Sequence, residues 1–168
     1  MSQEEHWWAC LAQGGLTVEG LRAAADRSGW PIYDGLRDPA GAEELATELA
    51  ERVADLQPTL VMLWEPPEDV LLGHILAREL GIRAVRCFDA DGLVSCAGDV
   101  GAGERVLVVA DAFRDEHSLQ AMVSLVAQRG SSVVGRACLV DDARLDGEWS
   151  HPQHELVVLT DADAELMR

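Results

Sequence analysis

A group of polar side chains follows an apolar segment in the second half of the chain. The apolar segment is Val106–Val109, and Ala110 and Asp111 come directly after it. The polar residues that follow a short gap are Arg114, Asp115, Glu116, His117 and Ser118. A histidine can activate a serine hydroxyl for nucleophilic attack when the two side chains reach each other. Neighbouring residues on a helix do not face each other, so a solvated histidine in a first helical turn is the simpler interpretation of His117.

A second polar segment lies earlier in the chain and is also rich in acids. Its residues are Trp64, Glu65, Pro66, Pro67, Glu68 and Asp69. The two prolines have no backbone N–H and so cannot donate to a bound anion, while the three acids add negative charge. Trp64 has two interpretations, as a packing residue or as a platform on which a planar base stacks.

Apolar and amphipathic segments alternate in a way that predicts the elements carrying these groups. Strands are predicted at 59–63, 84–87, 105–109, 133–139 and 156–159, and helices at 16–26, 38–56, 70–80 and 118–129. In the second of these helices, Asp38 is placed as N-cap and Pro39 at the first helical position. Alternating strands and helices are typical of an α/β fold with a parallel sheet and helices on both faces. Ligands of such sheets bind at the carboxyl ends of the strands, where both polar segments are expected to lie.

This arrangement resembles the type I phosphoribosyltransferases, and their orotate-type branch most closely. In that family an apolar strand ends in two acids and leads into a Thr-Thr-Gly-Gly-Thr/Ser loop that wraps the 5'-phosphate of phosphoribosyl pyrophosphate. Asp111 matches the second acid and Ser118 the final hydroxyl, whereas Ala110 replaces the first acid. The residues standing in place of the two threonines and two glycines are Arg114, Asp115, Glu116 and His117. The resemblance covers about residues 40 to 142, and it implies that residues 64–69 correspond to the pyrophosphate loop of the family.

Both loops depart from the family in the same direction, toward acidic side chains and fewer amide donors. Two like charges about 5 Å apart repel by roughly 3 kcal/mol at an effective dielectric constant of about 20. The resemblance therefore favours a protein that has lost phosphoribosyl pyrophosphate binding and catalysis and acts as a ligand-binding, regulatory or partner subunit. The partner would be a second copy of the chain or a paralogous enzyme. No cofactor or metal is expected on this hypothesis.

Two alternatives remain open. One is a divergent magnesium-dependent phosphoribosyltransferase acting on a nucleobase-like substrate, in which Asp111 is the one weak catalytic candidate. The other is a receiver-like or nucleotide-binding α/β module, suggested by an apolar strand that ends in an acid. For Asp111 a plainer role is to cap the following helix, and Asp115 and Glu116 are expected to stabilise that helix through its dipole, standing in for the phosphate.

Composition narrows the possible partners. The chain has 168 residues, with 30 acids, 13 basic residues and a formal net charge of −17. All basic residues are arginines, so the lysine that orotate-type relatives carry on a mobile loop is absent. The segment at that place, Cys87–Val94, looks like a hairpin turning at Asp91-Gly92. Such a charge disfavours binding to nucleic acid or to an anionic membrane surface.

The chain is expected to form one domain, residues 1–168, with its core at about residues 40 to 142. The terminal segments are then peripheral or hood-like, and the pair Trp7-Trp8 is expected to pack under such a hood or at a dimer contact. A cytoplasmic location is expected because the acidic start is not typical of a secretory signal. The four cysteines form no C-x-x-C pair and are predicted to be reduced. Residues 149–155 look like an affinity tag, which is interpreted as a chance match.

Overall fold

The computed structural model describes residues 35–36, 38–113, 116–140 and the strand 155–160. The helices are α1 (Pro39–Val53), α2 (Pro67–Leu80) and α3 (Glu116–Gln128), with a 3-10 turn at Ala54–Leu56. The strands are β1 (Leu60–Leu63), β2 (Arg83–Ala90), β3 (Leu93–Ala97), β4 (Arg105–Ala110), β5 (Ser132–Val140) and β6 (Glu155–Thr160). Among these described helices, none is long and apolar enough to cross a membrane.

The six strands form one sheet in the order β3-β2-β1-β4-β5-β6. All neighbouring strands run parallel except β2 and β3, which form an antiparallel hairpin. From β1 the chain first builds outward through β2 and β3, and then returns to place β4 on the other side of β1. The point at which the strand order reverses therefore lies between β1 and β4.

Helices cover both faces of the sheet, which confirms the predicted α/β architecture. Alternate residues of each strand point to opposite faces. On one face, α1 and α2 pack against β1 residues Val61 and Leu63 and their neighbours on β4 and β5. On the other face, α3 packs against Leu60 and Met62 and the residues beside them. The four residues of β1 are all buried, as expected for a central strand covered on both sides.

Helix α1 begins as the sequence predicts. The Asp38 side chain accepts a hydrogen bond from the Gly41 amide at 3.1 Å, and Pro39 occupies the first turn. The predicted helix continued to residue 56, but the α-helix ends at Val53 and a 3-10 turn completes it. Gln57 then adopts a left-handed backbone with φ 48°, which ends the helical hydrogen bonding before β1.

The helices α2 and α3 both begin earlier than predicted. Helix α2 starts at Pro67 instead of residue 70, and α3 starts at Glu116 instead of residue 118. Proline suits the first helical position because its missing N–H would be unpaired there in any case. Acidic residues are favourable in a first turn for electrostatic reasons. Some residues that the resemblance assigned to loops thus belong to helices.

The predicted hairpin at Asp91-Gly92 is confirmed. Asp91 has φ 57° and Gly92 has φ 81°, the pattern of a two-residue turn with both central residues left-handed. Ala90 faces Leu93 across the turn, so β2 and β3 pair without an intervening lid. The Gly92 amide also donates to Asp89 Oδ1 at 2.8 Å.

A polar network ties together the amino ends of the central strands. Glu104 accepts hydrogen bonds from the Thr59 hydroxyl and from Arg83, and these contacts lower the pKa of its carboxyl group. The Arg105 guanidinium donates to the carbonyl oxygens of Leu56 and Gln57. Two arginines are thereby engaged at the end of the sheet opposite to the predicted ligand site.

Several sequence predictions lie outside the described residues. These are the helix at residues 16–26, the packing of Trp7-Trp8, the hood-like character of the terminal segments and all of the tag-like segment 149–155 except Glu155, which begins β6. The predicted last strand is present as β6.

Candidate functional site

The candidate site lies where the strand order reverses, at the carboxyl ends of β1 and β4. Ligands of open α/β sheets bind in the crevice at such a reversal, because the connections from the two strands lead to opposite faces and leave a gap. Here α2 follows β1 onto one face and α3 follows β4 onto the other. The two segments that border the gap are residues 64–66 and residues 111–113, which places both polar segments predicted from the sequence at one location.

The two segments are joined by a hydrogen bond between a carboxylate and a backbone amide. Asp69, in the first turn of α2, accepts the Asp111 N–H through Oδ1 at 2.7 Å. Both residues are buried, with 5% of Asp69 and 3% of Asp111 exposed. A hydrogen bond to a charged group contributes about 1.5 to 3 kcal/mol, more than one between neutral groups. This contact therefore fixes the beginning of the β4 loop to helix α2.

The side chain of Asp111 is directed back onto its own loop. Its Oδ1 accepts the Ala112 N–H at 2.6 Å, and its backbone carbonyl accepts the Leu139 N–H of β5 at 3.0 Å. Two consecutive loop amides, those of residues 111 and 112, are thus paired with carboxylates of the chain. The amide that Asp111 Oδ1 accepts belongs to Ala112, four positions before α3 begins, so the plainer interpretation of Asp111 as a cap of that helix stays a prediction.

An aromatic side chain fills the space after Asp111. Phe113 is buried and belongs to the hydrophobic cluster beneath α3, together with Ala110. The Arg136 guanidinium of β5 lies over its ring, 6.0 Å from the centroid. Sequence reasoning missed Phe113 because it concentrated on the polar residues that follow. An aromatic residue two positions after the end of a buried strand was the available signal.

The remaining residues of the predicted β4 loop lie in different elements of the structure. Ala110 is the last residue of β4, while Arg114 and Asp115 lie outside the described residues. Glu116, His117 and Ser118 belong to the first turn of α3 instead of the loop. The Glu116 carboxylate accepts from the Gln120 side chain at 2.6 Å, one turn along the helix. His117 is exposed, as the simpler interpretation of that residue predicts.

The predicted pyrophosphate loop is shorter than the sequence suggested. Only residues 64–66 connect β1 to α2, and Pro67, Glu68 and Asp69 are helical. Trp64 is half-buried and packs against the hydrophobic cluster on the α3 side of the sheet. Of the three acids, Glu65 is exposed, Glu68 is half-buried and Asp69 is buried. The three acids therefore do not share one surface, because the Asp69 carboxylate is directed inward to the Asp111 amide.

The position of Asp69 depends on a close approach of α2 to β1. A Cβ atom added at Gly73 would lie 2.1 Å from Leu63 Cδ2, at the end of β1. Leu63 is only 2% exposed, so its side chain cannot move away without disturbing the core. Glycine at position 73 therefore lets the first turn of α2 lie close enough to reach the β4 loop.

The described acids of the site can be examined as ligands for a metal ion. Among the described residues, no group of three or more histidine, cysteine or acidic side chains is arranged to hold a metal ion. A magnesium ion keeps several water ligands. Asp69 and Asp111 are nearly inaccessible to water, and an oxygen of each already accepts an amide N–H, so they do not suit a hydrated ion.

The sequence and the fold were compared with known proteins. No family model matches the sequence. The orotate phosphoribosyltransferase of Caldanaerobacter subterraneus subsp. tengcongensis is 30% identical over 112 residues, which are 66% of this chain and 57% of that protein. The enzyme of the same name from Helicobacter pylori strain HPAG1 is 27% identical over 150 residues, 85% of this chain and 75% of that protein. The chain thus spans between about half and three quarters of the length of these curated relatives.

The fold is shared with solved structures of the same kind. The adenine phosphoribosyltransferase of Rhodothermus marinus matches with a TM-score of 0.68 and 20% identity, over 86% of this chain and 97% of that one. The sheet order, the helices on both faces and the position of the two loops agree with the architecture that the sequence resemblance implied. Similarity in sequence and in fold thus lead to one assignment: the chain belongs to the type I phosphoribosyltransferase family.

Proposed function

We propose that this chain is a phosphoribosyltransferase-fold protein that has lost phosphoribosyl pyrophosphate binding and catalysis, and that it serves as a ligand-binding, regulatory or partner subunit. The observation that carries the proposal is the hydrogen bond from the Asp111 amide to the Asp69 carboxylate. It places a buried negative group of the chain at the entrance of the loop in which the family wraps a phosphate.

The first argument for the proposal is that backbone amides at the site already donate hydrogen bonds within the chain. A phosphate at such a loop is held by backbone N–H groups together with helix N-termini. The amides of residues 111 and 112 already donate to carboxylates, and Pro66 and Pro67 have no N–H to offer. The amides that lead into the loop aligned with the phosphate site, residues 114–118, are thus already used within the chain and would reach a phosphate only by giving up these carboxylates.

The second argument is that acidic side chains around the gap would repel a bound phosphate. Three acids on the segments around the gap, Glu65, Glu68 and Glu116, are at least partly exposed, unlike the buried Asp69 and Asp111. Each carboxylate about 5 Å from a phosphate charge costs roughly 3 kcal/mol at an effective dielectric constant of about 20. A ligand with micromolar affinity has a total binding free energy of only about 8 kcal/mol. Two or three such contacts are enough to abolish binding.

The decisive experiment is calorimetric titration of the chain with phosphoribosyl pyrophosphate in the presence of magnesium. We expect no saturable heat at millimolar ligand. The variant with Glu65→Gln and Glu68→Gln is the matched control, because it removes two accessible charges and leaves the buried Asp69–Asp111 contact in place. We expect this variant also to show no binding. A micromolar dissociation constant for the unchanged protein would refute the proposal.

The alternative function is a divergent phosphoribosyltransferase acting on a nucleobase-like substrate with magnesium. The observation in its favour is the similarity to proteins named orotate phosphoribosyltransferase, which extends over 85% of the chain in one case. This function requires turnover that depends on magnesium and is lost in Asp111→Asn. Pyrophosphate release with orotate or adenine as acceptor measures it directly, and we expect none.

If the proposed function is correct, the binding partner is a second copy of the chain or a paralogous enzyme subunit. Nucleic acid and membranes are not expected partners. A cytoplasmic location agrees with the reduced thiols of Cys87 and Cys96. Light scattering of the purified chain, alone and mixed with a catalytic paralogue, tests the partner proposal.

A further inference from the structure

We propose that Cys87 and Cys96 form a reversible dithiol–disulfide site that low-molecular-weight disulfides such as oxidised glutathione oxidise. The site lies on the β2–β3 hairpin and is independent of the gap between β1 and β4. It therefore stands whether or not the proposed function is correct.

The geometry of the hairpin brings the two thiols together. Cys87 and Cys96 are directly paired in the antiparallel register, and their Sγ atoms are 2.9 Å apart. Facing residues in an antiparallel pair have Cα atoms about 4.5 or 5.5 Å apart. Both separations lie within the roughly 4.4 to 6.8 Å that a disulfide spans. Bond formation thus requires little movement of the backbone.

The two thiols differ in their access to solvent. Cys87 is fully buried between the sheet and α3, whereas Cys96 is half-buried. Cys96 also lines a pocket of about 260 Å³ between β3 and the end of α3, together with Asp99 and Arg129. An oxidant can therefore reach Cys96 without unfolding of the chain, and the cation of Arg129 lies on the wall that an anionic tripeptide would approach.

The chemistry has two exchange steps. The Cys96 thiolate attacks one sulfur of oxidised glutathione, forming a mixed disulfide and releasing one glutathione thiolate. The Cys87 thiolate then attacks the Cys96 sulfur, forming the Cys87–Cys96 bond and releasing the second glutathione thiolate. Two protein thiols are oxidised and one glutathione disulfide is reduced to two thiols, and the two protons go to the released thiolates.

The order of these steps follows from burial. Desolvation raises the pKa of the Cys87 thiol, and its contact with Cys96 raises it further. The thiolate is the attacking species in disulfide exchange. Cys87 is thus the poorer first nucleophile and acts as the resolving thiol, which attacks once Cys96 carries the mixed disulfide.

The test is mass spectrometry of the folded chain after incubation with oxidised glutathione and quenching by acid. Trypsin releases residues 87–105 as one peptide, because Arg86 and Arg105 are consecutive cleavage sites. This peptide contains Cys87 and Cys96 but neither of the other cysteines. We expect it to lose two hydrogen atoms, and reduction by dithiothreitol to restore them.

Variants assign the roles of the two thiols. Cys87→Ala is expected to trap glutathione on Cys96, and Cys96→Ala to leave Cys87 unmodified in the folded chain. Cys10→Ser and Cys138→Ser are matched controls and should oxidise like the unchanged protein. Mapping of the unchanged protein does not depend on whether the variants fold. An unaltered 87–105 peptide, or a bond from Cys87 or Cys96 to Cys10 or Cys138, would overturn the proposal.

Discussion

Asp69 and Asp111 are the residues on which the site depends. Buried charged side chains are rare unless other groups compensate them, because the removal of a carboxylate from water is costly. Here the Asp69 carboxylate is compensated in part by an amide of the neighbouring loop. The sequence shows an acid in a first helical turn, which is a common surface feature, and gives no sign that this one points inward.

Replacement of Asp69 by alanine is expected to destabilise the chain. The Asp111 N–H would remain buried without this acceptor, which costs about 1 to 3 kcal/mol. Chemical denaturation monitored by circular dichroism measures the change. Glu68→Ala is the matched control, since it removes a neighbouring acid from the same helical turn, and we expect a change within about 0.5 kcal/mol, as at other surface positions. Equal effects of the two substitutions would show that the buried contact is not important.

The buried thiol of Cys87 predicts a dependence of stability on alkaline pH. Its pKa is raised in the folded chain by burial, whereas an unfolded cysteine titrates near about 8.5. Above that pH the unfolded chain loses a proton that the folded chain retains, so the free energy of unfolding falls as pH rises. Urea denaturation under reducing conditions tests this at about pH 7.5 and about pH 10, which lie on either side of the pKa of an ordinary cysteine thiol.

Cys87→Ala removes the titrating thiol and is the control for this dependence. We expect its stability to fall less between the two pH values than that of the unchanged chain. An identical fall in both proteins would mean that other groups cause the loss.

At the scale of the elements, α2 packs closely against the end of β1 beside the site. Gly73→Ala would place a methyl group against the buried Leu63 side chain. Overpacking of this kind typically costs about 1 to 3 kcal/mol. Thermal unfolding measures the loss, with Gly101→Ala as control, because an added Cβ there lies no closer than 3.4 Å to the Glu104 side chain. A Gly73→Ala protein as stable as the control variant would contradict the close packing.

Much of the fold follows from local patterns in the sequence. The cap at Asp38, the turn at Asp91-Gly92 and the buried strands are each encoded by residues within a few positions. The starts of two helices were predicted too late because Pro67 and Glu116 were assigned to loops by their match to the loops of the family. The prediction of the facing cysteines was within reach, since Cys87 precedes the turn residue Asp91 by four positions and Cys96 follows Gly92 by four.

The candidate site was less predictable for a physical reason. Its location followed from the resemblance and from the rule on strand ends, and the structure places both segments there. The hydrogen bond that joins them links residues 42 positions apart. Such a contact depends on how α2 is seated on the sheet, and this is determined by packing at Gly73 and Leu63 instead of by the local pattern around Asp69.

At the scale of the whole molecule, the net charge of −17 has an effect on stability. Self-repulsion destabilises a compact chain with so many like charges. Salt shortens the screening length from about 30 Å at 0.01 M to about 8 Å at 0.15 M ionic strength. We therefore expect the melting temperature to rise over this range, as measured by calorimetry. Sodium and potassium chloride should act equally, and a melting temperature that falls with salt would contradict the role of self-repulsion.

Because position 73 has no side chain, a substitution there can change the packing of α2 on the sheet. Helix α2 lies close to the end of β1 because position 73 has no Cβ atom, which would otherwise lie 2.1 Å from Leu63 Cδ2. A larger residue at this position would push α2 away from β1 and leave every acid of the site in place. The same position could then report, through crystallography of the variant, how far the helix can withdraw before Asp69 releases the amide that it holds.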